Sequence, residues 1–415
     1  MEYTEYNYII NLSNVPNFKE ILLNVNVPNF IKSDEYKIKE EKFNIIRYDK
    51  KYLSNFNTKT YGLLRSIVSS HTDVLCFSPP KSVSTEYFIE NYNLKHDNII
   101  VEEFIEGTMI NVFYIDTLDM WMVSTKNTIG ADTYYNQNNK NYTFKEMFFD
   151  ACKKCNFDIK DLDKDFCYSF VLQHPKNRII SPITEQQIYI IEIYKIIKNH
   201  DGNIDIYNIP LSHFSRLIKH NLHTIKFPNT YQFTDYSSVI DTFASTNTPY
   251  HIMGIIIKNY NNGERCKIRN PNYEEVKNLK GNHTKNQYLY LVLRNTGKLK
   301  DYFKFFPECK NEFSVYRDKV HIFTYSLYEN YIMCYVYKKK PLRDFPKQFS
   351  HHMYKLHGLY IDELKPNNEH VNIKVVQDYV NKLEPRFLMY SINYNLRQKK
   401  CMDKLIDLYH PQLKE

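Results

Sequence analysis

Between Tyr61 and about Arg269 the apolar positions fall into short runs rich in β-branched and aromatic residues, each closed by Asn, Asp or Pro. That spacing predicts strands over 74–77, 99–103, 109–115, 121–125, 166–172, 188–197 and 254–258, in mainly antiparallel sheets. One helix interrupts them. Over 142–155, Phe144, Met147, Phe148 and Ala151 share a face, Thr143 is placed to cap, and Glu146 follows three residues later as in a capping box.

After Arg269 the period changes. Pro271 can open a helix, Glu274 and Glu275 favour its first turn, and segments of helical period follow over 273–279, 285–294, 299–306, 312–336, 346–356, 371–382 and 385–396. The chain is therefore expected to be α+β: a domain of antiparallel sheets with flanking helices over 61–278, led in by 1–60 as an α/β part of the same domain, and an all-α domain over 279–415. The length of 415 residues fits two or three domains. No internal repeat is evident.

Charge sharpens this division. From Val276 to Glu415 there are 25 Lys and Arg against 14 Asp and Glu, leaving 30 against 33 in the rest. A basic helical module attached to a near-neutral one suits a polyanion, most simply nucleic acid. The hydrophobic share of 43% excludes a disordered chain, and no run of 18 apolar residues offers a membrane span. Met1–Glu5 carries acids where a secretory leader needs positive charge, and eight scattered Cys fit reduced thiols, so a cytoplasmic location is expected. Cys152 and Cys155 read as one face of a helix, because no second pair or His ligands accompany them. The abundance of Tyr and Asn over Gly points to an AT-rich genome, such as that of a large DNA virus.

Four segments carry the candidate chemistry: Val101-Glu102-Glu103-Phe104-Ile105-Glu106-Gly107-Thr108, Tyr168–Ile180 with Pro175-Lys176-Asn177-Arg178, Met253-Gly254-Ile255-Ile256-Ile257-Lys258, and Arg265-Cys266-Lys267-Ile268-Arg269 ahead of Tyr273. In order and spacing they resemble motifs I, IIIa, IV and V of covalent nucleotidyltransferases, most closely the T4-type ATP-dependent RNA ligases. Cys76–Lys81 and Tyr61-Gly62 are similar to segments that family carries upstream. The resemblance spans roughly 60–275 and implies an ATP-grasp-like adenylylation domain. It also implies ATP or GTP as the nucleotide, Mg²⁺ in any active form, and RNA ends as partners.

That family uses a motif I lysine as a phosphorus nucleophile, a motif IV carboxylate for the metal, and motif V cations on the phosphates. Here the match divides. Glu106, Gly107, Arg178, Lys258, Lys267 and Arg269 fit a nucleotide-binding set. The nucleophile position is Phe104, the metal-carboxylate position is Met253, a further carboxylate position is Val171, and Tyr61 stands where the family has Arg. Two readings stay open: a noncatalytic binder of RNA or a protein partner, or an enzyme whose nucleophile has moved to Lys81 or Lys126. Both readings require the Glu106-Gly107 turn and the Lys267/Arg269 pair to meet at one anion-holding cleft.

In the helical region, Lys338, Lys339 and Lys340 lie near Tyr331, Tyr335 and Tyr337, while Arg397, Lys399 and Lys400 lie near Tyr390 and Tyr394. Cations beside aromatics suit single-stranded RNA through phosphate neutralisation and base stacking. His352 and His357 are five apart, a poor match to a helical metal pair. Trp121, the only Trp, is expected in the core, and His174 is expected to serve a turn.

Overall fold

The computed structural model describes residues 6–54, 57–71, 73–95, 98–134, 142–219 and 223–409, with side chains to 402; the Met1–Glu5 segment lies outside them. The chain divides into two compact units, Met1–Lys277 and Asn278–Glu415. Among the described residues no helix is long and apolar enough to cross a membrane.

The first unit holds three antiparallel sheets. A six-stranded sheet runs in the spatial order Tyr8–Asn11, Ile204–Ile209, Gln187–Lys198, Phe166–Gln173, Thr108–Ile115 and Met120–Ser124. A four-stranded sheet runs Thr230–Tyr231, Ile99–Glu103, Gly254–Asn259 and Arg265–Arg269. The third sheet, Ile31–Ile38, Glu41–Tyr48, Ile67–Ser70 and Asp73–Phe77, comes largely from the segment expected as a lead-in. Its Phe43, Ile45, Ile67 and Phe77 pack into one core with Phe113, Ile115, Tyr194 and Ile206 of the six-stranded sheet.

Period 2 explains which face does what. On Gly254–Asn259 and Arg265–Arg269, Ile255, Ile257, Cys266 and Ile268 are buried with Phe88, Val101 and Val239. The residues between them, Ile256, Lys258, Arg265, Lys267 and Arg269, therefore face the other way and line a cleft. Register makes them neighbours: Ile256 pairs with Lys267, Lys258 with Arg265, and Gly254 with Arg269.

The helix Phe144–Lys154 starts with the expected capping box, Thr143 accepting from Glu146 N–H and Glu146 accepting from Thr143 N–H. Cys152 and Cys155 lie in its buried face with Met147, Phe148 and Ala151. Trp121 packs against this core but is only partly buried, on the outermost strand, edge-on to Tyr114 at 5.3 Å. An edge strand leaves one flank of its side chains uncovered.

The second unit is helical, with Asn286–Asn295, Leu299–Phe305, Lys310–Tyr331, Lys347–Leu359, Ile373–Lys382, Pro385–Ile392 and Tyr394–Tyr409. Its core is aromatic: Tyr302 stacks on Phe313 with centroids 5.5 Å apart and planes 7° from parallel. Two helices end in π turns, Ile332–Val336 and Tyr360–Leu364. Buried His352 is held by the Tyr379 hydroxyl at Nδ1 and Ser391 Oγ at Nε2, both 2.8 Å. Since Ser391 Oγ donates to Phe387 O at 3.0 Å, the ring must donate from Nε2 and accept at Nδ1. Burial, then His351 and Lys355, pushes its pKa down to about 4. This histidine is neutral and structural.

Candidate functional site

The cleft lies between the cationic face just described and the inner strands of the six-stranded sheet, which contribute Met109, Val171 and Glu192. Its lining includes Arg65, Glu102, Glu103, Phe104, Gly107, Met109, Val171, Glu192, Met253, Lys258, Arg265, Lys267 and Arg269, around a cavity of about 240 Å³. Gly107 of the first motif and Lys267 and Arg269 of the fourth thus share one wall system, although 160 residues separate Gly107 from Lys267.

Two glycines make the close approach possible. At Gly107 a Cβ would sit 2.5 Å from Leu172 O and from Val171 Cγ1. At Gly254, with φ +123°, it would collide with Ile268 O and come within 2.9 Å of Arg269 Cα. Any side chain at Gly254 would force apart the hairpin that presents the cations.

Glu106 turns away from the cavity. It is buried, and its carboxylate accepts from Ile180 N–H at 2.7 Å, Ser181 N–H at 3.1 Å and Ser181 Oγ at 2.8 Å, with Tyr273 also bonded to it. It fastens the turn to the segment after Arg178 and does not line the cleft. Arg178 is likewise outside the lining, its Nε donating to Ile180 O at 3.0 Å. His174 serves its turn, accepting from Lys176 N–H at 3.1 Å and contacting Asp150 at 3.2 Å.

The five cations of the lining are not equivalent. Lys258 is buried between Glu102 at 2.6 Å and Glu192 at 2.8 Å. Burial alone would lower its ammonium, but the two carboxylates outweigh that and hold it well above the ordinary lysine value. Arg265 donates to Pro80 O at 3.0 Å, Arg65 to Pro79 O at 3.3 Å, and Arg269 pairs with Glu274 at 2.7 Å. Lys267 Nζ has neither a hydrogen-bond nor an acidic partner among the described residues. It sits 4.6 Å from the centroid of the Phe104 ring, which Arg269 also approaches at 5.5 Å. Burial first, then Arg265, Arg65, Arg269 and Lys81, push its pKa well below the ordinary lysine value.

Phe104, expected from the resemblance at the nucleophile position, is an aromatic platform under two cations. Its ring can pack a ligand but cannot form a bond to phosphorus. The cleft carboxylates are also engaged: Glu102 and Glu192 by Lys258, and Glu103 by Asn229 Nδ2 at 2.8 Å. Among the described residues no group of three or more His, Cys, Asp or Glu is arranged to hold a metal ion. The residues present do not fit a protein-held Mg²⁺, and Met253 lines the cleft where such a carboxylate was expected.

Lys81 and Lys126, the alternative nucleophiles, lie outside the lining. Lys126 Nζ is 4.8 Å over the Tyr48 ring, and Lys81 Nζ donates to Ser82 O at 3.4 Å. Sequence reasoning overlooked Arg65, Glu102, Glu192 and Arg265, since nothing in their spacing marks them out. The pairing of Lys258 with Arg265 would have exposed Arg265, had the hairpin register been known.

In the second unit, Lys338, Lys339 and Lys340 are exposed beyond the Ile332–Val336 turn, with Lys340 4.4 Å over Phe345. The aromatics paired with them change. Tyr331 is buried, and Tyr335 stacks on His357 at 3.8 Å, so neither offers a free face; Tyr337 is exposed. Arg397, Lys399 and Lys400 are exposed on the last helix, and Arg397 lies 5.0 Å over the half-exposed Tyr390.

No protein-family model and no curated protein matches this chain. Solved structures similar to it include RNA ligases. An archaeal ATP-dependent RNA ligase, form 2, is 11% identical over 92% of this chain and 78% of that one, with a TM-score of 0.39. Form 1 is 11% identical over 68% of each, with a TM-score of 0.36. A Naegleria gruberi RNA ligase mutant with ATP and Mn is 14% identical over 48% of this chain, with a TM-score of 0.33. The match spans 57% of that ligase's length. With every one of these scores below 0.5, function is read from the chain's own residues.

Proposed function

We propose that the first unit is an RNA-ligase-like nucleotidyltransferase fold whose cleft holds the phosphate of a nucleotide, ATP or GTP, or of an RNA end. The observation that carries this is Lys267, a desolvated amine without a counter-charge in a wall that also presents Arg65, Arg265 and Arg269. Such a cluster is costly alone and is relieved by a bound anion. Phe104 and the apolar groups Met109, Val171 and Met253 supply a surface for a base or sugar. Any divalent ion would arrive on the nucleotide's own phosphates. The exposed basic residues 338–340 and 397–400 of the second unit are proposed to hold the RNA strand, with Tyr337 and Tyr390 as stacking platforms.

A second reading has one observation in its favour. Lys267 is itself an unpartnered, desolvated amine, the condition that makes a lysine nucleophilic. Incubation with α-labelled ATP or GTP and Mg²⁺, followed by denaturing electrophoresis, separates the two. The binding reading expects saturable nucleotide binding by calorimetry and no label on the denatured chain. A label that disappears in Lys267→Met would replace that reading with covalent chemistry, and absence of any nucleotide binding would end both.

A further inference from the structure

Lys258 occupies a seat built by three strands and a bulge. On the strand Gln187–Lys198, Ile188, Ile190 and Ile193 all lie in one core with Met147 and Phe148 of the helix Phe144–Lys154. Two even positions followed by an odd one break the alternation of a regular strand. The break coincides with a bulge: Ile190 pairs with Phe170, but Glu192 pairs with the adjoining residue, Ser169. Without the extra residue, Glu192 would continue the row of Ile188 and Ile190 into that core. With it, the carboxylate stands on the opposite face and lines the cleft.

The opposing carboxylate, Glu102, comes from the strand Ile99–Glu103, which pairs with the strand that carries Lys258. Each acid has one oxygen anchored from outside: Glu192 Oε2 accepts from Asn208 Nδ2 at 2.7 Å, and Glu102 Oε1 accepts from the Tyr260 hydroxyl at 3.2 Å. The remaining oxygens, Glu192 Oε1 and Glu102 Oε2, converge on Lys258 Nζ at 2.8 and 2.6 Å, and no side chain of the three is more than 6% exposed. Two anchored carboxylate oxygens meeting at one point in a cleft are ligands that a hard divalent cation takes, at about 2.0–2.6 Å. Here that point is filled by an ammonium belonging to the chain, which the two carboxylates keep charged against the opposing effect of burial. Met253, lining the same cleft, offers an ion no oxygen.

We propose that the Lys258 ammonium takes the place of a divalent cation between Glu102 and Glu192, so that the cleft holds its phosphate ligand without a metal ion bound to the protein. The phosphate charge is then met by Arg65, Arg265, Lys267 and Arg269 alone. Mg²⁺ on a free nucleotide neutralises the same charge and competes with these side chains instead of bridging to them. The metal-free binding rests on the phosphate-holding reading of the cleft. The occupied seat does not, being a property of the protein without ligand.

Electron paramagnetic resonance of Mn²⁺ added to the full chain reads the seat with no nucleotide present. Wild type should leave the free-ion signal unchanged. Lys258→Ala should take up one Mn²⁺ per chain and gain about 2–4 °C in Tm with the ion at several times its Kd. The double variant Lys258→Ala/Glu192→Gln should lose both effects. Calorimetry on wild type reads the cleft: AMP should bind equally well in EDTA and in Mg²⁺, and ATP no more tightly in Mg²⁺ than in EDTA. Mn²⁺ bound by wild type and lost in Glu192→Gln overturns the proposal, as does a folded Lys258→Ala that takes up no more ion than wild type. Binding of AMP only when Mg²⁺ is present overturns it as well. Should Lys258→Ala fail to fold at every Mn²⁺ concentration, the wild-type measurements decide alone. If neither nucleotide binds wild type under any condition, the phosphate-holding reading falls, and Mn²⁺ uptake by Lys258→Ala still decides the seat.

Discussion

Lys258 and Lys267 lie on one hairpin and face one cleft, yet they are opposite in kind: Lys258 is buried, whereas Lys267 is desolvated but keeps partial exposure. Lys258 is enclosed by Glu102 and Glu192, and Asn208 Nδ2 in turn donates to Glu192 at 2.7 Å. Lys267 has an aromatic ring and three nearby guanidinium groups. The first spends its charge inside the protein, tying the strand Ile99–Glu103 to the strand Gly254–Asn259 and the six-stranded sheet. The second has its charge left over. Burial alone does not mark a functional cation; a desolvated charge left without compensation does.

Three experiments bear on this contrast, in descending order of expected effect. Lys258→Met should destabilise the first unit by about 3–5 kcal/mol, since Glu102 and Glu192 would be left buried together without a cation. Chemical denaturation measures it, and a loss below about 1 kcal/mol would mean the triad is solvated and the contrast false.

His352, in the other unit, is the neutral counterpart of Lys258, a buried titratable group whose partners are all present. Its folded pKa lies below its unfolded one, so folding is favoured by the unprotonated ring. The stability it contributes is intact above about pH 6.5 and is lost as pH falls toward 4, by up to about 3 kcal/mol. His352→Gln should flatten that part of the pH profile. An unchanged slope would show that the ring is protonated without penalty.

Lys267→Met should do the reverse of Lys258→Met. Removing an uncompensated, desolvated amine should leave thermal stability unchanged or raise it by about 1 kcal/mol, while weakening phosphate binding by roughly tenfold to a hundredfold. A fall in Tm comparable to that of Lys258→Met would mean that Lys267 too is structural.

Much of the architecture was legible in residue order. The strand expected over 99–103 is present as Ile99–Glu103, and that over 254–258 as Gly254–Asn259, because β-branched runs between polar breaks suit few alternatives. The capping box at Thr143 and Glu146 is local chemistry and was readable as such. Of the sheet formed by 31–77 only the strand over 74–77 was read, and Ile31–Ile38 escaped because it is mostly charged or polar and half-exposed, with little alternation to reveal it. The last helices also shifted: the segment expected to run 385–396 breaks at Asn393 and restarts as Tyr394–Tyr409.

By itself, the sequence determined where the chemistry-bearing segments lie, the period of each element, the absence of an ionisable side chain at Phe104 and Met253, and the concentration of positive charge after residue 276. These are properties of residue identity and local repeat. Tertiary structure decided which charges are satisfied. Glu106 proved to be a fastener and Lys258 a tie between sheets, whereas Lys267 was left without a partner. Partnership depends on groups far apart in the chain, 74 residues from Glu106 to Ile180 and 156 from Glu102 to Lys258, and no local pattern encodes which of them will meet.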